Sequence, residues 1–432
     1  MPTIIHSSRL HPDHLTLVRP TGLFSNSSRE RKQAFKRLGL AILFVLSWLL
    51  PACGSAGGGP ETTSTLAPAS ITPSLTLTKT LTPTLTPVPP TPTPVTPSPT
   101  STRTLTPTMT PTPPPGFVSA FLRPEVSAQA YITGTCQYLQ RRWSLDGSRP
   151  GTVVVPIMFH GIREAGKPIP EGDHQTISQE YFQDFIAYAK FLGFETITTE
   201  QLDGFLQQNA LIPPRSMMLI VDDRRDGTIQ NHFMPVLEEN DWTVTLGWII
   251  ADTMDSLWSR MEEMNATGRL DIQSHGYWHR YMVPETPEEE IHEEIFGPVS
   301  VLEEHFGKRP IAFVWPGGNF TPLAVETVHE AGYHLAFTAY SRGPLLYNWV
   351  PLGEDEQSIG DPIMVLPRFW STAASVALDM GVQIAGEAQL QAVVSYAEEA
   401  AWYRSACGNE LPPLEAIFPG AVAPPATITP TP

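Results

Sequence analysis

Cysteine is scarce in this 432-residue chain: Cys53, Cys136 and Cys407, with no Cys-x-x-Cys pair. That argues against a thiolate zinc site, whose ligands come in closely spaced pairs. Basic residues are also few, 27 against 44 acidic, for a formal charge of −17. Residues 1–53 hold 7 basic and 2 acidic residues, which leaves 20 and 42 for the remainder. A nucleic-acid partner needs a basic face, so this balance argues against one. It fits a soluble exported protein and, weakly, a cationic or neutral polymer as substrate. Long apolar runs are missing as well. The uncharged run at 38–50 has 13 residues, too short to cross a membrane as a mature helix.

That short run follows Arg29, Arg31, Lys32, Lys36 and Arg37, and together they read as a signal peptide. It ends in Leu50-Pro51-Ala52-Cys53-Gly54, which resembles a bacterial lipobox, so lipidation of Cys53 and a membrane-anchored, exported protein are expected. The alternative is an uncleaved anchor; either way the rest of the chain lies outside the cytoplasm. Residues 54–115 are mostly Thr, Pro and Ser, with too little apolar surface to offset the entropy of ordering. They read as a disordered linker, an extended stalk of about 3.1 Å per residue where polyproline II holds. An N-terminal extension at 116–150, a folded domain at 151–411 and a second disordered stretch at 412–432 complete the expected organisation. Cys136 and Cys407 flank the folded part. In an oxidising compartment they are candidates for a disulfide, with two separate buried thiols as the alternative.

Within the folded part, apolar runs at 152–159, 217–221, 242–250, 270–273, 311–315, 334–338 and 364–366 read as strands. Helical spacing lies between them, at 179–192, 199–205, 232–240, 257–264, 287–306 and 323–331, with Thr199 as a candidate cap. About seven alternations imply an α/β architecture with a parallel sheet or barrel. His160, Asp222-Asp223, His275, Trp315 and Arg368 then all fall at C-terminal strand ends, where α/β barrels collect their chemistry. Taken alone, Asp222-Asp223 also suits a turn or a helix cap, and each histidine a structural role.

Taken together, these residues match a known pattern. Val155-Pro156-Ile157-Met158-Phe159-His160, Ile220-Val221-Asp222-Asp223, Ser274-His275-Gly276-Tyr277-Trp278-His279, Phe313-Val314-Trp315-Pro316-Gly317-Gly318 and Leu366-Pro367-Arg368 occur in the right order. Over roughly Val153 to Arg368 the chain resembles the polysaccharide deacetylases, carbohydrate esterase family four, and its exopolysaccharide branch in particular. The resemblance implies a distorted (β/α)7 barrel and hydrolysis of N-acetyl groups on an N-acetylglucosamine-containing polysaccharide. It implies that Asp223, His275 and His279 bind a divalent metal, usually zinc, leaving positions open for water and substrate. By the same resemblance Asp222 is the general base and His160 the general acid. The metal and a backbone N–H near Trp315-Pro316 hold the oxyanion. Trp315, Pro316, Gly317, Arg224 and Arg368 are expected to line the substrate, with Arg368 also a candidate to orient Asp222. Trp278 and Trp315 are candidates to stack on sugar rings, against ordinary core packing.

The chain departs from the family pattern at Arg224, where the family has Gly. A Gly permits backbone geometry that Arg disfavours, so Asp226 could enter the site, and Arg224 could contact substrate or pair with Asp222. The family's Arg-x-x-Pro-Tyr loop is absent. A catalytically weak or inactive relative that binds cell-wall glycan is therefore the competing reading. The acidic run Glu288 to Glu294 reads as a solvated helix face, and His292, His305, His329 and His334 as structural.

Overall fold

The computed structural model of the chain describes residues 112–421. The leader, Cys53, all but the last residues of the linker, and 422–432 lie outside the described residues.

The core is a parallel sheet in the order Leu335–Phe337, Ala312–Val314, Leu270–Ser274, Val244–Trp248, Arg215–Asp222, Val153–Phe159 and Phe369–Trp370. The two-residue strand Glu195–Thr196 also pairs with the start of Arg215–Asp222. Every residue of Val153–Phe159 is buried, and every residue of Arg215–Asp222 except Arg215. Such runs fit strands covered on both faces, as parallel sheets are. Pro156 is tolerated inside one of them for a specific reason. Val154 exchanges both of its backbone hydrogen bonds with Leu345, at 2.9 and 2.8 Å. Residues of that parity, Pro156 included, therefore face away from Arg215–Asp222, and the missing N–H leaves that ladder intact.

Residues 366–370 join the two ends of the sheet. Leu366 N–H donates to Ala336 O at 2.8 Å, and Thr338 N–H donates to Leu366 O at 2.9 Å. Phe369 and Trp370 then pair with Ile157 and Met158 on the opposite edge. The sheet so curls into the expected distorted seven-stranded α/β barrel. The last strand differs from expectation. Pro362–Met364 is a 3₁₀ turn, and the strand is Phe369–Trp370, so Arg368 stands before a strand rather than at its C-terminal end. Two prolines explain the shift: Pro362 opens a turn and Pro367 has no N–H to give a ladder.

The helices follow from local chemistry. Ser178 Oγ accepts from Tyr181 N–H at 3.1 Å to start Gln179–Leu192, which stops at Gly193 in the left-handed region. A capping box of Thr198 and Gln201 starts Thr199–Gln208, so Thr198 is the cap and Thr199 the first helical residue. Each such cap is worth about 1 kcal/mol. The sequence gives little sign of the 34-residue helix Ala374–Cys407, because its buried stripe is mostly Ala and Gly. A Cβ at Gly381 would sit 2.7 Å from Val155 Cγ2, so glycine there lets the helix lie close over the sheet. No described helix is long and apolar enough to cross a membrane.

Cys136 and Cys407 form a disulfide with a Cα–Cα distance of 5.8 Å. It ties the helix Thr135–Arg142 to the end of Ala374–Cys407. Trp143 is fully buried nearby, and its Nε1–H donates to Glu399 Oε2 at 2.6 Å. Residues 412–421, expected to be disordered, are instead folded onto the domain. Leu414 and Ile417 are buried in this same cluster, and Phe418 packs edge-on to Trp143.

Candidate metal centre

Asp222 is the last residue of its strand and only 2 % exposed. The chain then turns sharply, with Asp223 at φ 68°. Asp accepts this left-handed conformation better than most residues because its short side chain can bond locally. Arg224 is not in the left-handed region. The special geometry of the turn falls on Asp223, so an arginine in place of glycine carries no backbone penalty. Arg224 donates from Nε to Ile249 O at 3.1 Å and from Nη2 to Ala251 O. It thus pins the neighbouring loop and does not pair with Asp222. Asp226 stays out of the site, buried in an ion pair with Arg260 at 2.5 Å.

The strand Leu270–Ser274 delivers His275, and the loop after it delivers His279, again at a left-handed φ of 68°. Their Nε2 atoms lie 3.7 and 3.8 Å from Asp223 Oδ1. All three ligand atoms fall within 4.8 Å of one another. His275 Nδ1 is 2.8 Å from Val314 O, which can only accept. Nδ1 therefore carries the proton, and the lone pair of Nε2 faces Asp223. Burial lowers the pKa of both imidazoles, the neighbouring carboxylates opposing it. Two neutral imidazoles and one carboxylate suit a divalent cation, and these residues fit one.

Asp222 lies beside this cluster. Arg368 Nη1–H donates to its Oδ1 at 2.6 Å, and Arg368 Nε–H to Thr338 O at 2.8 Å. Burial alone would raise the Asp222 carboxyl. The opposing electrostatic contributions, led by the Arg368 guanidinium, together outweigh it and hold the group below the usual carboxylate range. His160, just after Val153–Phe159, places Nε2 3.9 Å from Asp222 Oδ2. Its ring lies parallel to Trp370 at 5.7 Å, and its Nδ1 is buried with no hydrogen-bond partner. Burial lowers its pKa, so the ring rests neutral.

The substrate-lining expectations fare unevenly. Arg368 is completely buried beneath Asp222, where its bonds are to Asp222 and Thr338. Trp315 is also fully buried, with its Nε1–H donating to Met364 O at 2.9 Å and its ring 5.0 Å from Phe313. It is a core residue and has no face to offer a sugar. Pro316 is buried. Trp315 N–H is spent on Phe337 O, and Pro316 has no N–H, so Gly317 is the first residue of that turn with an uncommitted backbone donor. Gly317 sits at φ 62°, with the Tyr281 ring where a Cβ would be. Trp278 is 44 % exposed and Tyr281 53 %. Both stand on the His279 loop, beside a shallow groove lined by His279, Arg280, Tyr281 and Glu290. A more enclosed cavity, lined by Tyr138, Arg142, Thr152 and Tyr347, lies at the opposite ends of the strands.

Glu294 was expected on a solvated face and is instead fully buried. It accepts from the backbone N–H of Trp278 at 2.7 Å and of His279 at 3.1 Å. The spacing contains the signal. Glu294 falls within the buried stripe Ile291, Ile295, Pro298, Val299 and Leu302 of the helix Glu288–Phe306.

Residues 212–336 match the family model for polysaccharide deacetylase. No curated protein matches the chain. Solved structures that resemble it include the Streptococcus pyogenes deacetylase PplD, which was determined in complex with acetate. It aligns at 17 % identity over 54 % of this chain and 99 % of its own, with a TM-score of 0.45. A polysaccharide deacetylase from Bacillus cereus aligns at 20 % identity over 53 % and 69 %, with a TM-score of 0.43. IcaB from Ammonifex degensii aligns at 20 % identity over 56 % and 98 %, with a TM-score of 0.41. The family match, not these overlays, carries the assignment, and it spans Asp222, Asp223, His275, His279 and the Trp315 turn. Residues 212–336 of this chain thus match the polysaccharide deacetylase family.

Proposed function

We propose that the protein removes N-acetyl groups from an N-acetylglucosamine-containing polysaccharide, with a divalent metal, zinc by preference, held by Asp223, His275 and His279. The observation that carries this reading is the cluster of those three ligand atoms beside a buried carboxylate kept ionised by Arg368. When bound, the metal supplies Lewis-acid polarisation of water and of the acetyl carbonyl. The chain's own groups do the rest. Asp222 accepts through Oδ2, the oxygen not bonded to Arg368, a proton from the attacking water. His160 takes that proton across the 3.9 Å gap and passes it to the leaving nitrogen, so that acetate and a free amine result. The Gly317 N–H is the donor for the developing oxyanion. Trp278 and Tyr281 offer apolar faces to sugar rings.

One ground for the non-catalytic alternative was Arg224, which the turn accommodates without left-handed strain. We place the protein outside the cytoplasm, anchored to the membrane through a lipidated Cys53. The Cys136–Cys407 disulfide supports an oxidising compartment. The test is metal content and acetate release from N-acetylglucosamine polymers. One metal per chain in the parent and none in His275→Ala is the expected result. A parent that takes up no zinc, cobalt or nickel would overturn the metal-dependent reading.

A further inference from the structure

The helix Glu288–Phe306 grips the loop that carries His279 along one face. Glu290, Glu293, Glu294 and Gly297 follow the i, i+3, i+4, i+7 spacing of a single helical stripe. Arg280 lies 3.5 Å from Glu290 and 2.7 Å from Glu293 on the exposed side. The Tyr277 ring packs where a Cβ on Gly297 would be, at 2.7 Å. Between them, fully buried, Glu294 receives the N–H groups of two successive residues, Trp278 and His279. Gly276 passes so close that an added Cβ would lie 2.3 Å from Glu294 Oε2. The loop is therefore shaped around this one carboxylate. Without it, His279 has no evident reason to hold φ 68°, a conformation that costs a non-glycine residue about 1–2 kcal/mol.

We propose that Glu294 is a positioning residue of the metal centre, whose carboxylate fixes the 276–280 loop so that His279 Nε2 faces Asp223. The proposal rests on the reading that Asp223, His275 and His279 hold a metal. Glu294 touches neither metal nor substrate in this scheme; it acts through the backbone of a ligand. Groups of this kind behind a ligand are worth about 10–100-fold in metal affinity.

The test is Glu294→Gln in the full chain. Gln keeps the shape but offers one acceptor oxygen and turns an NH₂ toward the loop's N–H donors. The readouts are zinc affinity by chelator competition and the visible spectrum of the cobalt-substituted protein, with near-UV circular dichroism as the check on folding. A 10–100-fold weaker affinity, a changed cobalt spectrum and a native fold are expected. Affinity within twofold of the parent in a folded variant overturns the proposal while leaving the metal reading intact. Failure of the parent to bind metal sinks the metal reading instead. If Glu294→Gln does not fold, Glu294→Asp withdraws the carboxylate from the loop without removing its charge and must weaken metal binding similarly. Hydrogen exchange on the metal-free parent adds an independent check: protected Trp278 and His279 amides support the proposal, and freely exchanging ones refute it.

Discussion

Arg368 Nη1 lies 2.6 Å from Asp222 Oδ1, with both side chains buried. The pair sets the charge state of the residue that takes the proton. Removing one member of a buried pair strands the other, at about 3–5 kcal/mol. Arg368→Met should therefore lower stability by roughly that amount and abolish acetate release. The pH dependence has a definite sign. Asp222 is depressed in the fold, so its contribution to stability is present above the unfolded carboxylate value, about 3.9, and is lost as pH falls through the folded one. Acid titration of the metal-free parent should show this loss, and Arg368→Met should lack it; identical acid unfolding of the two proteins would contradict the assignment.

Asp222→Asn keeps the shape and removes the base. We expect metal content to match the parent and acetate release to fall roughly 100- to 10,000-fold. His160→Ala should behave alike. Either variant retaining parental turnover would remove that residue from the proton path.

The two tryptophans should separate cleanly. Trp278→Ala should raise KM up to about tenfold through lost stacking, with little change in melting temperature. Trp315→Phe should act in the reverse sense, costing about 1–3 kcal/mol of stability through the unmet Met364 carbonyl and the vacated volume. A KM effect confined to Trp315→Phe would reverse the two roles.

Arg224→Gly restores the family residue but deletes two bonds to the Ile249 and Ala251 carbonyls. Activity should fall or stay level. A clear gain in turnover would mean that Arg224 obstructs the site and would revive the glycan-binding alternative.

Cys407→Ser should cost about 2–5 kcal/mol, since the bond closes a loop spanning a sequence separation of 271. Metal affinity should be unchanged, because the bridge lies far along the chain from every ligand. Calorimetry and chelator competition on the same sample decide it.

The barrel and the acidic–imidazole constellation were legible because each chemical residue follows an apolar run, and such runs announce strands whatever surrounds them. Arg368 was legible as a neighbour of Asp222 but not as a fully buried one, since sequence order does not say which side of a strand end a long side chain enters. Glu294 was missed because its neighbours Glu288, Glu289 and Glu290 dominate the local composition; only the helical stripe separates it from them. Trp315 was ambiguous for a related reason: a strand-end aromatic can turn inward or outward, and the Met364 carbonyl that draws it inward comes from a turn read as a strand. The helix Ala374–Cys407 was hidden because its buried stripe is too small-residued to register as apolar.

The Trp143 cluster has a geometric corollary. Residues 113–117 line the cavity at the N-terminal ends of the strands, and 414–421 close over Trp143 on that same side. Entry and exit of the described chain are thus gathered at one pole, stapled there by Cys136–Cys407, while Asp222 and His160 occupy the other. The described domain is built like a cup with both of its ends at the base. It can be held by its base, lengthened there or fused there, and the rim stays unobstructed by either terminus of the described segment.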